Sequence, residues 1–194
     1  MMVIGLTGSI AMGKSEAAKI LADYGLPVFD SDAEVHKLYD SQAGAILIRP
    51  FVPVATTHGR VERNLVTEAV LKDPALLSRL EKQVHAEIRT RRDAFIARSR
   101  AAGAKAVVLD IPLLFETGSE RDVDKTIVVS SQPEIQRARA LGRPGMTEER
   151  LALILSKQML DAEKRARADA VTENNSTLAD LKKSLLDILR AWGI

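Results

Sequence analysis

The sequence predicts an α/β fold, a parallel sheet flanked by helices, and three observations carry that prediction. Apolar runs of strand length alternate with segments of helical periodicity. Several of those runs are apolar on both faces, as buried parallel strands require. The octet Gly8-Ser9-Ile10-Ala11-Met12-Gly13-Lys14-Ser15 has the spacing G-x-x-x-x-G-K-[ST] of a phosphate-binding P-loop, set between a strand-like and a helix-like segment. Finally, the loop, Asp30 with Asp32, Asp110 and Ser130 each follow a strand-like run. They are therefore expected along one sheet edge, the C-terminal one, where ligands bind in such folds.

Met2-Val3-Ile4-Gly5-Leu6-Thr7 reads as the first buried strand. After the loop, residues 16–24 place Ala17, Ile20 and Leu21 on one helical face, and Gly25 ends that helix. Pro27-Val28-Phe29 is a short second strand running into Asp30-Ser31-Asp32, and 33–39 is helical in pattern. Over 40–60, Gly44, Pro50, Pro53, Gly59 and the Thr56-Thr57-His58 cluster break any long periodicity, so no element is assigned. A helical pattern resumes over 61–71. Asp73-Pro74 then sets an N-cap before a proline at the first helical position. Leu77, Leu80, Val84 and Ile88 give the helix that follows an apolar face as far as about Arg100. Its other face carries Arg79, Lys82, Arg89, Arg91, Arg92 and Arg98, a pattern that suits a solvated surface. Gly103 closes the helix. Ala106-Val107-Val108-Leu109 is a central strand, with Asp110-Ile111-Pro112-Leu113-Leu114-Phe115-Glu116 at its end. Thr126-Ile127-Val128-Val129 is another, leading through Ser130-Ser131 into a helix over 132–141. Gly142, Pro144 and Gly145 interrupt the chain before Thr147, Glu148 and Glu149 open the next helix. Ala170-Val171-Thr172 is a weak last strand, and Leu178, Leu181, Leu185 and Leu189 mark the closing helix.

Composition narrows the function. At 194 residues, 46% hydrophobic and 28% charged, the chain suits one globular domain with room for a small appended subdomain. A formal net charge of +2 is too small to argue for a nucleic-acid partner. Zero cysteines exclude disulfides, thiolate metal sites and cysteine nucleophiles. No apolar run approaches the roughly 18 residues of a membrane span, and no secretory pattern opens the chain, so a cytoplasmic enzyme is expected.

The residues then point to phosphoryl transfer. Gly8 and Gly13 let the loop turn tightly and bring backbone N–H groups to a polyphosphate, helped by the helix N-terminus. Lys14 would reach the β/γ-phosphates and the Ser15 hydroxyl would coordinate Mg²⁺. Asp32, with Asp30, is placed to accept the proton of an attacking hydroxyl or hold Mg²⁺ through water; the alternative is that Ser31 or Asp32 simply caps the next helix. Arg137, Arg139 and Arg143 bracket the Pro/Gly break, as mobile arginines over a transferring phosphoryl group or as ordinary surface charges. Asp110 is either a second nucleotide motif acting on Mg²⁺ through water or a strand-end turn residue before Pro112. Glu81, His85 and Arg89 fall in a row on one helix face, where a lone histidine more often packs or hydrogen-bonds than binds a ligand. Neither metal-ligand spacing nor a Ser-His-Asp constellation is visible. An Asn-Lys-x-Asp element, an Asp-x-x-Gly switch and the Asp-Glu pair of many motor ATPases are all lacking, which leaves a small-molecule kinase as the best fit.

The chain resembles the dephospho-CoA kinase family nearly end to end. The resemblance rests on Gly5-Leu6-Thr7-Gly8 leading into Gly13-Lys14-Ser15, Phe29-Asp30-Ser31-Asp32, and Arg63-Asn64-Leu65 after Gly59. It continues through Leu80-Glu81 with His85 and Ile88-Arg89, and through Asp110-Ile111-Pro112-Leu113-Leu114-Phe115-Glu116. Arg139 and Arg143 before Met146-Thr147, Gln158, and Ala168-Asp169 with Asn174-Asn175 complete it. The resemblance implies transfer of the ATP γ-phosphate to the ribose 3′-hydroxyl of dephospho-CoA, giving CoA and ADP. The alternatives are a nucleoside or nucleotide kinase of the same fold and a non-catalytic nucleotide-binding module. It also implies a P-loop NTPase core over about 1–40, 103–136 and 168–194, a helical CoA-accepting region over about 41–102, and a lid over about 137–167. Asp32 matches the catalytic base and Arg143 a lid arginine near the ATP phosphates, with Lys14 as the third catalytic residue. Gly8, Ala11, Met12, Gly13, Lys14, Ser15, Glu16, Arg139 and Asn175 form the implied nucleotide site, Asn175 near the adenine, with Ser15 on Mg²⁺. Asp32, His85 and Arg89 form the acceptor side. The implied partners are ATP and dephospho-CoA, with no nucleic acid or membrane, for a monomer or weak homo-oligomer. The family loop is usually Gly-Gly-Ile-Gly-Ser-Gly-Lys-Ser, so Ser9, Ala11 and Met12 replace two glycines and a serine. Glu16 stands where threonine is common, Ala86 replaces the proline usual after His85, and Val52 replaces a glycine after Phe51.

Overall fold

A computed structural model describes residues 1–194 apart from the His58 side chain, so that part of the Thr56-Thr57-His58 cluster lies outside the described residues. Two compact units divide the chain, one of residues 1–29 and 98–194, the other of residues 30–97.

The first unit is built on a parallel sheet of five strands among the described residues, in the order β2-β3-β1-β4-β5. These are β1 (Met2–Thr7), β2 (Val28–Asp30), β3 (Ala106–Asp110), β4 (Lys125–Ser130) and β5 (Ala170–Glu173). The register sets Ile4 opposite Val108, Leu6 opposite Ile127 and Val128 opposite Val171. Side-chain alternation along the strands fills two cores. Ile4, Leu6, Val108, Ile127 and Val129 pack with Ala17 and Leu21 of α1 (Lys14–Asp23) and with Leu181, Leu185 and Leu189 of the last helix, Leu178–Ala191. That four-residue spacing gives the last helix its buried stripe, and a capping box between Thr177 and Asp180 starts it. Leu178, expected on the same stripe, is exposed. On the opposite face Val128 packs with Leu114 and Phe115.

The second unit has its own core of Leu38, Ile48, Val52, Ala55, Val61, Val66, Leu76, Leu80 and Val84. It holds α2 (Ser31–Tyr39), α3 (Gln42–Ile48), α4 (Arg63–Lys72) and the larger part of α5 (Pro74–Ala101). Helix α3 lies where the sequence shows no periodicity. Its Ser41 N-cap accepts the Gly44 N–H at 3.2 Å. Gly44 is required, because a Cβ there would overlap the Leu38 carbonyl oxygen. The apolar face of α5 starts at Leu76 rather than Leu77, which is 45% exposed; Leu76, Leu80 and Val84 give the four-residue spacing.

Between β4 and β5 run α6 (Pro133–Leu141), α7 (Glu148–Leu155) and α8 (Asp161–Arg167), with α9 the last helix named above. Among the described residues no helix is long and apolar enough to cross a membrane.

Candidate active site

The loop leaves β1 at the sheet's C-terminal edge under tight constraint. A Cβ on Gly8 would come within 2.6 Å of the Val129 carbonyl oxygen on the neighbouring strand, so only glycine allows the backbone this close. Gly13 is the N-cap of α1 with φ of 99°, and a Cβ there would overlap the Asn174 carboxamide nitrogen. With no side chain capping α1, the N–H groups of its first turn, at Lys14, Ser15 and Glu16, point out of the helix as donors for an anion. Ala11 takes the left-handed conformation at φ 62°, the one non-glycine residue to do so among those described. An L side chain pays roughly 1–2 kcal/mol there. Its methyl is buried against Ala140 of α6 and Leu151 of α7, beside Ile10, Met146 and Leu155. The loop therefore closes without the glycine usual at this position, held by apolar packing from the segment expected to form the lid.

Three carboxamides, none of which the residue-level reading singled out, brace the loop from below. Gln158 Oε1 accepts the Ile10 N–H at 3.0 Å, and Gln136 Nε2 donates to the Ile10 carbonyl at 2.9 Å. Asn174 Nδ2 donates to the Met12 carbonyl at 3.1 Å, while its own N–H donates to the Ser130 carbonyl at 2.8 Å. Among the expected nucleotide ligands, Arg139 lies here too, its Nη1 donating to the Asn174 carbonyl at 2.9 Å. Met12 is buried and its N–H donates to the Ser9 carbonyl at 3.2 Å. Asn175 stands beside this brace, accepting the Gln132 N–H at 2.8 Å and so capping the entry to α6. The only sequence signal for the brace is the family match at Gln158 and Asn174.

Asp110 is the last residue of β3, buried, and ion-paired with Lys14. Two bonds fix that strand end on the loop's own strand. The Ile111 N–H donates to the Leu6 carbonyl at 3.0 Å, and the Thr7 hydroxyl donates to the Pro112 carbonyl at 3.0 Å. Ser15 is exposed at the mouth of α1. Arg143 is exposed in the turn after α6, its side chain making no hydrogen bond or ion pair among the described residues, whereas Arg137 pairs with Glu148.

The 137–167 segment is anchored at its far end. Lys164 of α8 is fully buried, its ammonium 2.8 Å from Glu116 Oε1, and the same oxygen accepts the Met159 N–H at 2.8 Å. Burial alone would raise the Glu116 carboxyl, but the Lys164 ammonium beside it and the Met159 N–H bond outweigh it and hold the carboxyl below its ordinary value. Asp169, just before β5, is likewise held low. Hydrogen bonds from Lys125 and Thr126 overcome a burial effect that would raise it.

In the second unit, the sequence left open whether Asp32 caps α2. Neither it nor Ser31, the other expected cap, does: Asp30 is the N-cap, its carboxylate accepting the Ala33 N–H at 2.9 Å. Asp32 lies exposed in the first helical turn, its carboxylate making no hydrogen bond or ion pair among the described residues. His85 and Arg89 are exposed one turn apart on α5, in the same condition.

Comparison with known proteins places these features in a family. The family model described as dephospho-CoA kinase matches residues 2–180. The dephospho-CoA kinase of Agrobacterium fabrum is 48% identical over 193 residues, covering 100% of this chain and 99% of its own. The crystal structure of TT1252 from Thermus thermophilus superposes with a TM-score of 0.82 at 34% identity, covering 98% of this chain and 97% of that one. A dephospho-CoA kinase from Campylobacter jejuni shares the fold, with a TM-score of 0.72 at 24% identity over 98% of this chain and 96% of that one.

Proposed function

From the premise that this chain belongs to the dephospho-CoA kinase family, we propose that loop 8–15 holds the ATP polyphosphate while Asp32 acts as the base that activates the acceptor hydroxyl. The reaction is phosphorylation of dephospho-CoA to CoA, with ATP as donor. The observation that carries the site assignment is the set of outward N–H groups at the Gly13–α1 junction, beside a lysine already bound to a carboxylate.

In this reading the N–H groups of the loop and of the first turn of α1 receive the β- and γ-phosphates, and Lys14 shifts from Asp110 toward the β–γ bridge. The Asp32 carboxylate takes the proton of the ribose 3′-hydroxyl as its oxygen attacks the γ-phosphorus. The β–γ bridging oxygen leaves with ADP. Arg143, unpaired in its turn, closes over the equatorial oxygens, with Arg139 holding the base of the site. The residues present fit Mg²⁺, which takes few protein oxygens and keeps waters. Ser15 would hold it directly and Asp110 through water, and the ion would neutralise charge on the phosphate oxygens. His85 and Arg89 are assigned to the acceptor side, residues 137–167 to a lid, 41–102 to the CoA-accepting region and the remainder to the core. The 137–167 lid falls within the first unit.

The test is an acceptor panel: ATP with dephospho-CoA, pantothenate or nucleoside monophosphates, following ADP and CoA. Production of CoA with dephospho-CoA alone is expected. ADP release independent of dephospho-CoA would point to a nucleotide-binding module, and preferential use of a nucleoside monophosphate to a nucleotide kinase.

A further inference from the structure

Ile10 is gripped on both sides, through the peptide before it and the peptide after it. Gln158 Oε1 takes its N–H and Gln136 Nε2 binds its carbonyl, at 3.0 and 2.9 Å. The two glutamines enter from opposite ends of the α6–α7 segment, one on α6 and the other just past α7. Between them the same segment packs Ala140 and Leu151 on the Ala11 methyl. The Gln136 side chain is buried, so its amide is committed to this bond and exchanging it for water is unfavourable.

This grip decides which loop donors stay free. The Ile10 N–H is consumed by Gln158 and the Met12 N–H by the Ser9 carbonyl. Those of Ala11, Gly13, Lys14, Ser15 and Glu16 have no protein acceptor among the described residues. Alternate peptides along 10–13 are thus turned inward and outward. The left-handed Ala11 sits between two inward-turned N–H groups, at the point where the chain must reverse. Left-handed backbone at a non-glycine residue does not persist without such outside support.

We propose that Gln158, with Gln136 as its partner across the Ile10 residue, is a positioning residue for phosphoryl transfer. It touches no substrate. Gln158 fixes the Ser9–Ile10 peptide and Gln136 the Ile10–Ala11 peptide, so that the Ala11 N–H is aimed at the phosphates of ATP, while Asn174 on the Met12 carbonyl turns the Gly13 N–H the same way. Because both glutamines belong to the segment that carries Arg143, the cradle and the lid arginine share one anchor. The inference rests on loop 8–15 being the ATP site.

The experiment compares wild type with Gln158→Met and Gln136→Met, which keep side-chain length and lose the hydrogen bond. Steady-state kinetics with each substrate varied and ADP titration calorimetry are the readouts. The KM for ATP and the Kd for ADP are expected to rise about tenfold, with the KM for dephospho-CoA unchanged and Tm within a few degrees of wild type. Amide exchange followed by NMR in the wild type provides a readout free of folding effects. The Ile10 N–H is expected to be protected without nucleotide, while those of Ala11 and Gly13 gain protection only with ADP. Unchanged ADP affinity in the variants overturns the proposal, as does loss of both substrate affinities together with Tm. Ile10 protection that appears only with ADP also overturns it. If wild type itself binds no ADP, the ATP-site reading fails instead, and the two failures are distinct.

Discussion

Replacing Ala11 tests whether the loop is held by packing or limited by strain. In Ala11→Gly, relief of the left-handed conformation at φ 62° returns about 1–2 kcal/mol. Two losses oppose it. The glycine enlarges the unfolded ensemble by about 0.4–1 kcal/mol, and removing a methyl buried against Ala140 and Leu151 forfeits about 0.8 kcal/mol. The effects cancel to within about 1 kcal/mol, which for a chain of this size moves Tm by about 2–4 °C at most. Ala11→Val has no such cancellation. A β-branched side chain is strained further at positive φ and overfills a packed site, so a loss of about 2–4 kcal/mol and a Tm drop near 10 °C are expected. Differential scanning calorimetry of both variants checks this. A drop above about 8 °C in Ala11→Gly would show that packing dominates and strain is negligible. An Ala11→Val variant as stable as wild type would refute the geometry.

Three further outcomes follow from the site and its supports. Lys14→Ala is expected to lower kcat/KM by at least about a thousandfold, measured by coupled ADP release; near wild-type turnover would remove Lys14 from the chemistry. Asp32→Asn should lower kcat by about a hundredfold or more while ADP affinity by calorimetry stays within about threefold, since Asp30 keeps the α2 cap. Collapse of nucleotide affinity instead would make Asp32 a structural or metal-holding residue. The third concerns pH. Glu116 and Asp169 are held below their ordinary values in the folded chain, so the stability they contribute is present above their unfolded values, near 4.5 and 3.8, and is lost as pH falls through the folded ones. Tm is expected to decline below about pH 4.5, and Asp169→Asn should begin lower at pH 7 and decline less steeply. Parallel pH curves for wild type and variant would contradict the assignment.

What sequence could show here depended on how local each cause was. β1, the loop and α1 were legible because a strand, a glycine spacing and a helix start are all written within two dozen residues. The Asp110 position was legible as the end of an apolar run, though its pairing with Lys14 was not. Helix α3 was hidden because Gly44 reads as a breaker, whereas the structure needs it for the approach to Leu38. The choice of Leu76 over Leu77 was settled by the second unit's own core. Periodicity alone admits either. Asp30 and Asp32 flank one residue, and only the backbone bond to Ala33 shows which of them caps. The carboxamide brace was least legible: Gln136, Gln158 and Asn174 meet the loop across 126, 148 and 162 residues, with no spacing rule to announce them.

The Lys14–Asp110 pair has a consequence for selectivity among small anions. A loop lysine with its own resident carboxylate is a charge already spoken for, and an incoming anion must outcompete a tethered rival at high effective concentration. Chloride, sulfate and inorganic phosphate each bring one or two charges against that rival and the loop's dipoles. A triphosphate brings about four, spread along its length, and engages the outward N–H row at the same time. If loop 8–15 is the ATP cradle as proposed, the buried aspartate would set an entry threshold, which a polyanion able to draw Lys14 away would pass more readily than a simple anion.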